Sequence, residues 1–183
     1  MTEDDEYHTA ILDILIQAPH GHQQTGPTQL LEHLFIGGYK DAEDVTTLSR
    51  MRITHVLNCA AFRKSDANFY PESSGIRCYH QFYARDRHDY DILDQHFYEA
   101  KSFIDDAKLS GGRCLVHCAL GVNRSGVLCI AYIMLEARLG LLEAVKLVKE
   151  RRGRVLANRG FQRQLIDFAR SKGLLRSMDD LEL

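Results

Sequence analysis

Val116-His117-Cys118-Ala119-Leu120-Gly121-Val122-Asn123-Arg124-Ser125 joins two apolar segments of different period. Before it, Arg113-Cys114-Leu115-Val116 reads as a short buried strand. After it, Ser125 to Arg138 carries apolar residues at helical spacing, so the decapeptide is a strand-to-helix turn. Such a turn suits an anion: the amides of a tight glycine-containing loop point inward, and the following helix presents its unpaired N–H groups and positive dipole end to the same spot.

A thiol at that spot loses its proton easily, and cysteines at helix N-termini reach pKa values of roughly 3.5–7.5 instead of about 8.5. Cys118 is therefore read as a nucleophile, and Arg124 as a planar fork of donors matched to two phosphate oxygens. The plainer reading, a buried cysteine acting as a small hydrophobe, leaves the surrounding pattern unexplained. Cys59, Cys78, Cys114 and Cys129 are followed at the sixth position by Ser65, Ala84, Leu120 and Leu135, none an arginine. Requiring histidine before and glycine, arginine and serine after makes chance agreement at one cysteine on the order of 1 in 10⁵.

A general acid has to come from elsewhere. Ile76 to Tyr83 reads as a strand, and Ala84-Arg85-Asp86-Arg87-His88-Asp89-Tyr90-Asp91 follows it, an acidic cluster at the strand end where α/β proteins assemble their sites. Asp91 precedes the apolar-periodic helix Ile92 to Ala107, with Asp94 three residues on, so both suit helix capping and dipole complement. Asp89 suits loop or cap, and Asp86 comes directly off the strand, with a loop carboxylate paired to Arg85 or Arg87 as its plain alternative.

His117 to Ser125 resembles the HCxxGxxRS signature of cysteine-dependent dual-specificity protein phosphatases. The likeness takes in Ile53-Thr54-His55-Val56-Leu57-Asn58, Phe103-Ile104-Asp105, Gly111-Gly112-Arg113, Ala131-Tyr132-Ile133-Met134, and Asn158-Arg159-Gly160-Phe161 with Gln164-Leu165. It covers roughly Leu31 to Ala169 and is strongest toward the VHR-like atypical branch. The resemblance implies a protein tyrosine phosphatase-like fold, a single α/β domain with a central mixed, largely parallel sheet flanked by helices. It implies hydrolysis of phosphotyrosine and phosphoserine or phosphothreonine through a phosphocysteine intermediate, on a phosphorylated protein such as a MAP kinase-type signalling protein, with no cofactor and no metal.

By the same resemblance Asp86, 32 residues before Cys118, is the general acid. Ser125 donates to the thiolate, beyond the plain role of helix cap, and His117 orients the loop where a core histidine would otherwise suffice. His117, Ala119, Leu120, Gly121, Val122, Asn123 and Arg124 bind the phosphoryl group. Arg152, at the end of the helix Leu141 to Arg152, falls where a pocket-flanking arginine takes a second phosphate; dipole complement is its plain reading. Cys59 closes the strand Arg52 to Asn58 and is expected to trap oxidised Cys118 as a reversible disulfide. Three departures stand out: Gly126 where alanine is usual, Asn123 where serine is commoner, and Leu156-Ala157-Asn158 where a Pro-Asn pair is typical.

Length and composition set the frame. The 183 residues, 45% hydrophobic, suit one globular domain, divided into an N-terminal segment 1–30, a catalytic domain 31–172 and a tail 173–183. No run of 18 apolar residues is present, so no membrane span is expected. An acidic start, five unpaired-looking cysteines and a net charge of −2 point to reduced thiols in the cytosol or nucleus and away from nucleic acid. Residues 1–6 read as disordered, and Tyr7 to Gln17 as a helix covering a core face or serving as a lid. Ala18-Pro19-His20-Gly21-His22 breaks that helix, with two solvated histidines rather than metal ligands. His33 to Tyr39 reads as a strand, Asp41 to Met51 as a helix, Arg52 to Asn58 as a buried strand, and Ala61 to Ser74 as a surface loop. Two rival functions remain: a pseudophosphatase-like module that binds phosphoproteins, and a phosphatase of RNA 5′ ends or inositol lipids, although the loop has only Arg124 as a cation. The sequence leaves the state of assembly open, monomer or homodimer.

Overall fold

A computed structural model describes residues 2–17, 26–61 and 70–176. The turn at 18–22 with its two histidines, most of the loop after Ala61, and residues 177–183 of the tail lie outside the described residues. Five strands, β1 (Thr28–Leu31), β2 (Leu34–Gly37), β3 (His55–Asn58), β4 (Cys78–Gln81) and β5 (Cys114–His117), form one sheet in the order β1-β2-β5-β3-β4. Only β1–β2 is antiparallel. The mixed, largely parallel sheet expected from the alternation of strands and helices is present.

The register sets the site. Gly37, His117 and Asn58 lie side by side at the carboxyl ends of β2, β5 and β3, so the segments that leave these strands gather on one edge, the place where open α/β sheets bind ligands. All four β5 residues are buried, as a central parallel strand requires. Their side chains alternate between two cores. Cys114, Val116 and Cys118 join Leu34, Ile36 and Leu57 on one face, whereas Leu115 joins Phe35 and Val56 on the other.

The larger core is covered by α1 (Glu3–Ile16), α4 (Ile92–Leu109), α5 (Arg124–Glu136), α6 (Leu141–Arg152) and α7 (Arg159–Ser171), and the smaller by α2 (Tyr39–Glu43) and α3 (Val45–Arg50). Helix α5 is buried without interruption from Ser125 to Met134, the mark of a helix enclosed on all sides. The turn that precedes it is thus anchored at both ends in buried structure.

Several expectations are corrected. The chain is helical from Glu3, not disordered to residue 6, because Thr2 and Asp5 form a capping box and four acidic residues complement the dipole in the first turn. Helix α1 covers a core face: Tyr7 and Ile11 are buried, the Tyr7 hydroxyl donates to the Arg176 carbonyl, and Arg170 of α7 pairs with Glu3 and Asp4. Asp41 to Met51 is two helices, because Asp44 ends α2 and accepts from the Thr47 amide to begin α3. Strand β1 had no alternating apolar pattern to announce it, and a boundary drawn at residue 30 falls inside it. Arg52, with φ +57°, belongs to the turn before β3.

Candidate active site

Cys118 stands one residue past β5, its side chain on the α5 face and 3% exposed. Its Sγ lies 3.3 Å from the Ser125 hydroxyl. Burial by itself raises a thiol's pKa, and it drives Cys59, Cys114 and Cys129 upward. At Cys118 burial is again the largest influence, yet the Ser125 hydroxyl, the Ser125 and Val122 amides and the Arg124 guanidinium together outweigh it, and the net direction is down. Of the four buried cysteines, this one alone is built to carry a charge. Ser125→Ala removes the first of the opposing contacts. A hydrogen bond to a charged group is worth about 1.5–3 kcal/mol and one pH unit is about 1.4 kcal/mol, so the pH midpoint of iodoacetamide inactivation should rise by about 1–2 units. The N-cap position of α5 belongs to Asn123, not to Ser125 as the sequence suggested, so an unchanged midpoint would leave Ser125 no part in holding the thiolate.

The loop's carbonyls explain its open centre. Ala119 O accepts from the Tyr39 amide at 3.0 Å, Val122 O from the Leu156 amide at 2.9 Å, and Leu120 O and Gly121 O from Arg152 at 3.4 and 3.3 Å. Four successive carbonyls are thus held outward. Because N–H lies trans to C=O in a peptide, the intervening amides turn inward and form an anion nest. Gly121 has φ +67°, and a Cβ there would stand 2.5 Å from the Gly37 backbone and from Arg152, so no other residue fits.

Arg124 is held by one donor only among the described residues: Nη1 reaches Ala84 O at 3.2 Å, while Nε is buried without a partner. Buried donors are nearly always paired, and a guanidinium edge left unpaired above an amide nest fits a tetrahedral oxyanion. His117 is buried against the α2 side, its Nδ1 3.3 Å from Cys118 O. Burial lowers its pKa to about 4, so the ring is neutral near pH 7 and braces the loop. Ala119 and Leu120 form the exposed rim, Leu120 being 71% exposed.

The four aspartates sort themselves. Asp86 makes no bond to Arg85 or Arg87; its carboxylate accepts from Asn123 Nδ2 at 3.2 and 3.0 Å and from Asn158 Nδ2 at 2.8 Å. Asp89 is occupied by a two-point pair with Arg87 at 2.9 and 3.0 Å. Asp94 sits in the first turn of α4, as expected. Asp91 holds the N-cap position there but makes no side-chain cap bond, a correction: Gln164 Oε1 of α7 accepts from the Leu93 amide at 3.3 Å instead. Asp86 alone is tied to the Cys118 loop, through Asn123.

Arg152 requires a larger correction. All five of its N–H groups face protein acceptors: Gly121 O, Leu120 O, Gly26 O, Thr28 Oγ1 and Asp41 Oδ2. It lies beneath the loop with no donor to spare for a second phosphate. Sequence reasoning could place it beside the pocket but could not see which way the fork points. Asn158, Asp41 and Gly160 also serve the site, and their parts depend on contacts between distant segments. A Cβ on Gly160 would meet the His88 carbonyl oxygen at 2.0 Å, so the acid-bearing segment rests directly on the start of α7.

The departures have local accounts. A Cβ on Gly126 would approach Val155 Cγ2 to 2.7 Å, so glycine makes room for the buried Val155. Leu156, buried with φ +55°, takes a strained conformation that costs on the order of 1–3 kcal/mol and places its amide on Val122 O. Cys59 is buried beside the loop: its amide donates to His117 O at 2.9 Å, one step past the Asn58 and His117 pair.

Residues 34–171 match the family described as dual specificity phosphatase, catalytic domain. The chain is 44% identical over 136 residues to dual specificity protein phosphatase 26 of Bos taurus, covering 73% of this chain and 62% of that protein. It is 39% identical over 144 residues to dual specificity protein phosphatase 22 of Mus musculus, covering 79% and 74%. The crystal structure of DUSP15 superposes with a TM-score of 0.72 at 30% identity, covering 86% of this chain and 97% of that one. The chain therefore spans under two thirds of the first of these relatives, about three quarters of the second, and nearly all of the crystallised DUSP15 chain. An acidic buried thiol, an amide nest and an arginine with a free buried edge, set on this sheet and matched along 34–171, make the chain a member of the dual-specificity phosphatase family, in its atypical branch.

Proposed function

We propose that this chain hydrolyses phosphate esters of tyrosine and of serine or threonine on proteins, through a phosphocysteine intermediate. One observation carries the reading: the thiol held acidic despite burial lies in the same nest as the unpaired buried edge of Arg124. Cys118 attacks phosphorus in line, and the Cys118–P bond forms as the ester P–O bond breaks. The nest amides and Arg124 hold the equatorial oxygens. Asp86 gives its proton to the departing oxygen, then as carboxylate takes a proton from water, which attacks phosphorus and releases inorganic phosphate and the Cys118 thiolate. Ser125 stabilises that thiolate as it leaves.

The rim favours a polypeptide. Ala119, Leu120 and Val122 add no cation to the nest, whereas inositol lipids and RNA 5′ ends require a basic pocket. A signalling phosphoprotein of the cytosol or nucleus, of MAP kinase type among others, is the substrate class proposed. The test is phosphate release from peptides bearing phosphotyrosine or phosphothreonine, with Cys118→Ser as control. Release from neither, with both bound, would make the chain a reader of phosphoproteins.

Cys59 supports a redox element in the same reading. Neighbouring strands lie roughly 4.7–4.9 Å apart, inside the roughly 4.4–6.8 Å Cα separation a disulfide spans, and Cys59 and Cys118 occupy matching positions beyond an in-register pair. Hydrogen peroxide oxidises the Cys118 thiolate to sulfenic acid, releasing hydroxide. The Cys59 sulfur then attacks the sulfenic sulfur, and its proton leaves with the displaced hydroxide as water. After peroxide, dithiothreitol should restore most wild-type activity and several-fold less in Cys59→Ser. Equal recovery counts against the disulfide.

A further inference from the structure

Asn123 occupies the N-cap position of α5, where an asparagine side chain ordinarily accepts from an amide of the first turn, yet its side chain makes no cap bond. The carboxamide is turned toward Asp86 instead. Its Nδ2 donates to both oxygens of Asp86, at 3.2 and 3.0 Å, and its Oδ1 accepts from the Asn158 amide at 3.0 Å. Asn158 completes the arrangement: its Oδ1 caps α7 through the Gly160 and Phe161 amides at 2.9 and 3.4 Å, while its Nδ2 donates to Asp86 Oδ1 at 2.8 Å.

Asp86 needs such support. It is exposed, on a stretch between β4 and α4 that belongs to no strand or helix, with no cation paired to it among the described residues. An exposed carboxyl left to itself samples several rotamers, and a displacement near 1 Å from a productive geometry costs about 10²-fold in rate. The three donor contacts fix which way the carboxyl faces. They also meet the charge that forms on it when its proton departs, since N–H donors to a carboxylate are stronger than those to a neutral acid.

We propose that Asn123 and Asn158 form a carboxamide clamp that positions Asp86 for proton transfer. Asn123 is a positioning residue, bonded through one side chain to the acid and to the turn before α7 while its backbone adjoins Arg124. The clamp couples the acid to the phosphate-binding loop, so that nucleophile, arginine and acid share one frame. The inference rests on the assignment of Asp86 as general acid.

Its test uses aryl phosphates of graded leaving-group acidity, because an acid matters only where the departing oxygen needs a proton. Asn123→Ala and Asn123→Asp are compared with the wild type and with Asp86→Ala, after circular dichroism melting has shown each variant folded. Aspartate keeps the shape and the acceptor for the Asn158 amide but sets a negative charge against Asp86. Both Asn123 variants should lose about 10–100-fold in kcat/KM on phenyl phosphate and under threefold on 2,4-dinitrophenyl phosphate. Combining Asn123→Ala with Asp86→Ala should lose no more than Asp86→Ala alone, since a clamp without its acid has nothing to position. Equal losses on both esters, or additive losses in the double variant, would overturn the clamp. If Asp86→Ala itself showed no dependence on the leaving group, the acid assignment would fail instead, and the two failures are distinguishable.

Discussion

Cys118→Ser should abolish turnover and leave binding intact. The wild-type sulfur attacks as a thiolate, and four influences keep it charged against burial: the Ser125 hydroxyl, two amides and Arg124. A serine hydroxyl in the same place stays protonated near neutral pH, and among the described residues the sulfur's only side-chain partner is the Ser125 hydroxyl, His117 being turned toward Tyr39, Ala42 and Tyr70. Phosphate release should fall by at least about 10⁴-fold, in keeping with losses on removing an activated nucleophile. The binding groups remain, since the loop carbonyls are tied to Tyr39, Arg152 and Leu156 rather than to the sulfur. The Kd for phosphopeptide, measured by calorimetry, should stay within about threefold. The thiol's direction also fixes a pH trend: a depressed value means charge present above the shifted midpoint and lost below it, so kcat/KM should fall on acidification through a midpoint lower than that of an ordinary thiol. Turnover of Cys118→Ser at the wild-type rate would remove the nucleophile from the mechanism.

That much follows from residues adjacent in the chain, and adjacency decides what can be read in advance. Cys118, Gly121, Arg124 and Ser125 share one turn, so their geometry is local, and β5 and α5 announce themselves through unbroken burial. Helix α1 is partly legible: Ile11 shows its apolar face, but its start at Glu3 depends on the capping box of Thr2 and Asp5, and its bonds to Arg170 and Arg176 join positions more than 160 residues apart. The split of α2 from α3 rests on one residue, Asp44, whose carboxylate accepts from the Thr47 amide, a local bond that the expected single helix Asp41 to Met51 left out. Strand β1 is short, carries the exposed Gln29, and is set by pairing with β2 rather than by its own pattern. The asparagines were the hardest case. Asn123 reads as a cap and Asn158 as part of a motif, and only the approach of three segments shows both carboxamides spent on Asp86.

Arg152 is where sequence and structure part most sharply, and it yields the second large expected effect. Were it a pocket-flanking cation, its loss would fall on doubly phosphorylated substrates alone. In the fold it serves instead as a brace, fastening Leu120 and Gly121 to Gly26, Thr28 and Asp41 from below, with side chains only 12% and 16% exposed in the Arg152–Asp41 pair. Arg152→Lys keeps the charge but offers three donors from one point in place of a planar fork, so at least two of the five acceptors lose their partner. Removing one member of such a largely buried pair outright, as in Arg152→Met, leaves the Asp41 carboxylate with the Gly38 amide as its donor and should cost on the order of 3 kcal/mol of stability, seen as a lower urea midpoint. Loosened carbonyls let the inward amides drift, and kcat/KM for Arg152→Lys should fall about 10²-fold. The decisive feature is uniformity: para-nitrophenyl phosphate and a doubly phosphorylated peptide should suffer alike, because both bind the same nest. A loss confined to the doubly phosphorylated peptide would restore Arg152 to the pocket mouth and show that the fork swings out when such a substrate arrives.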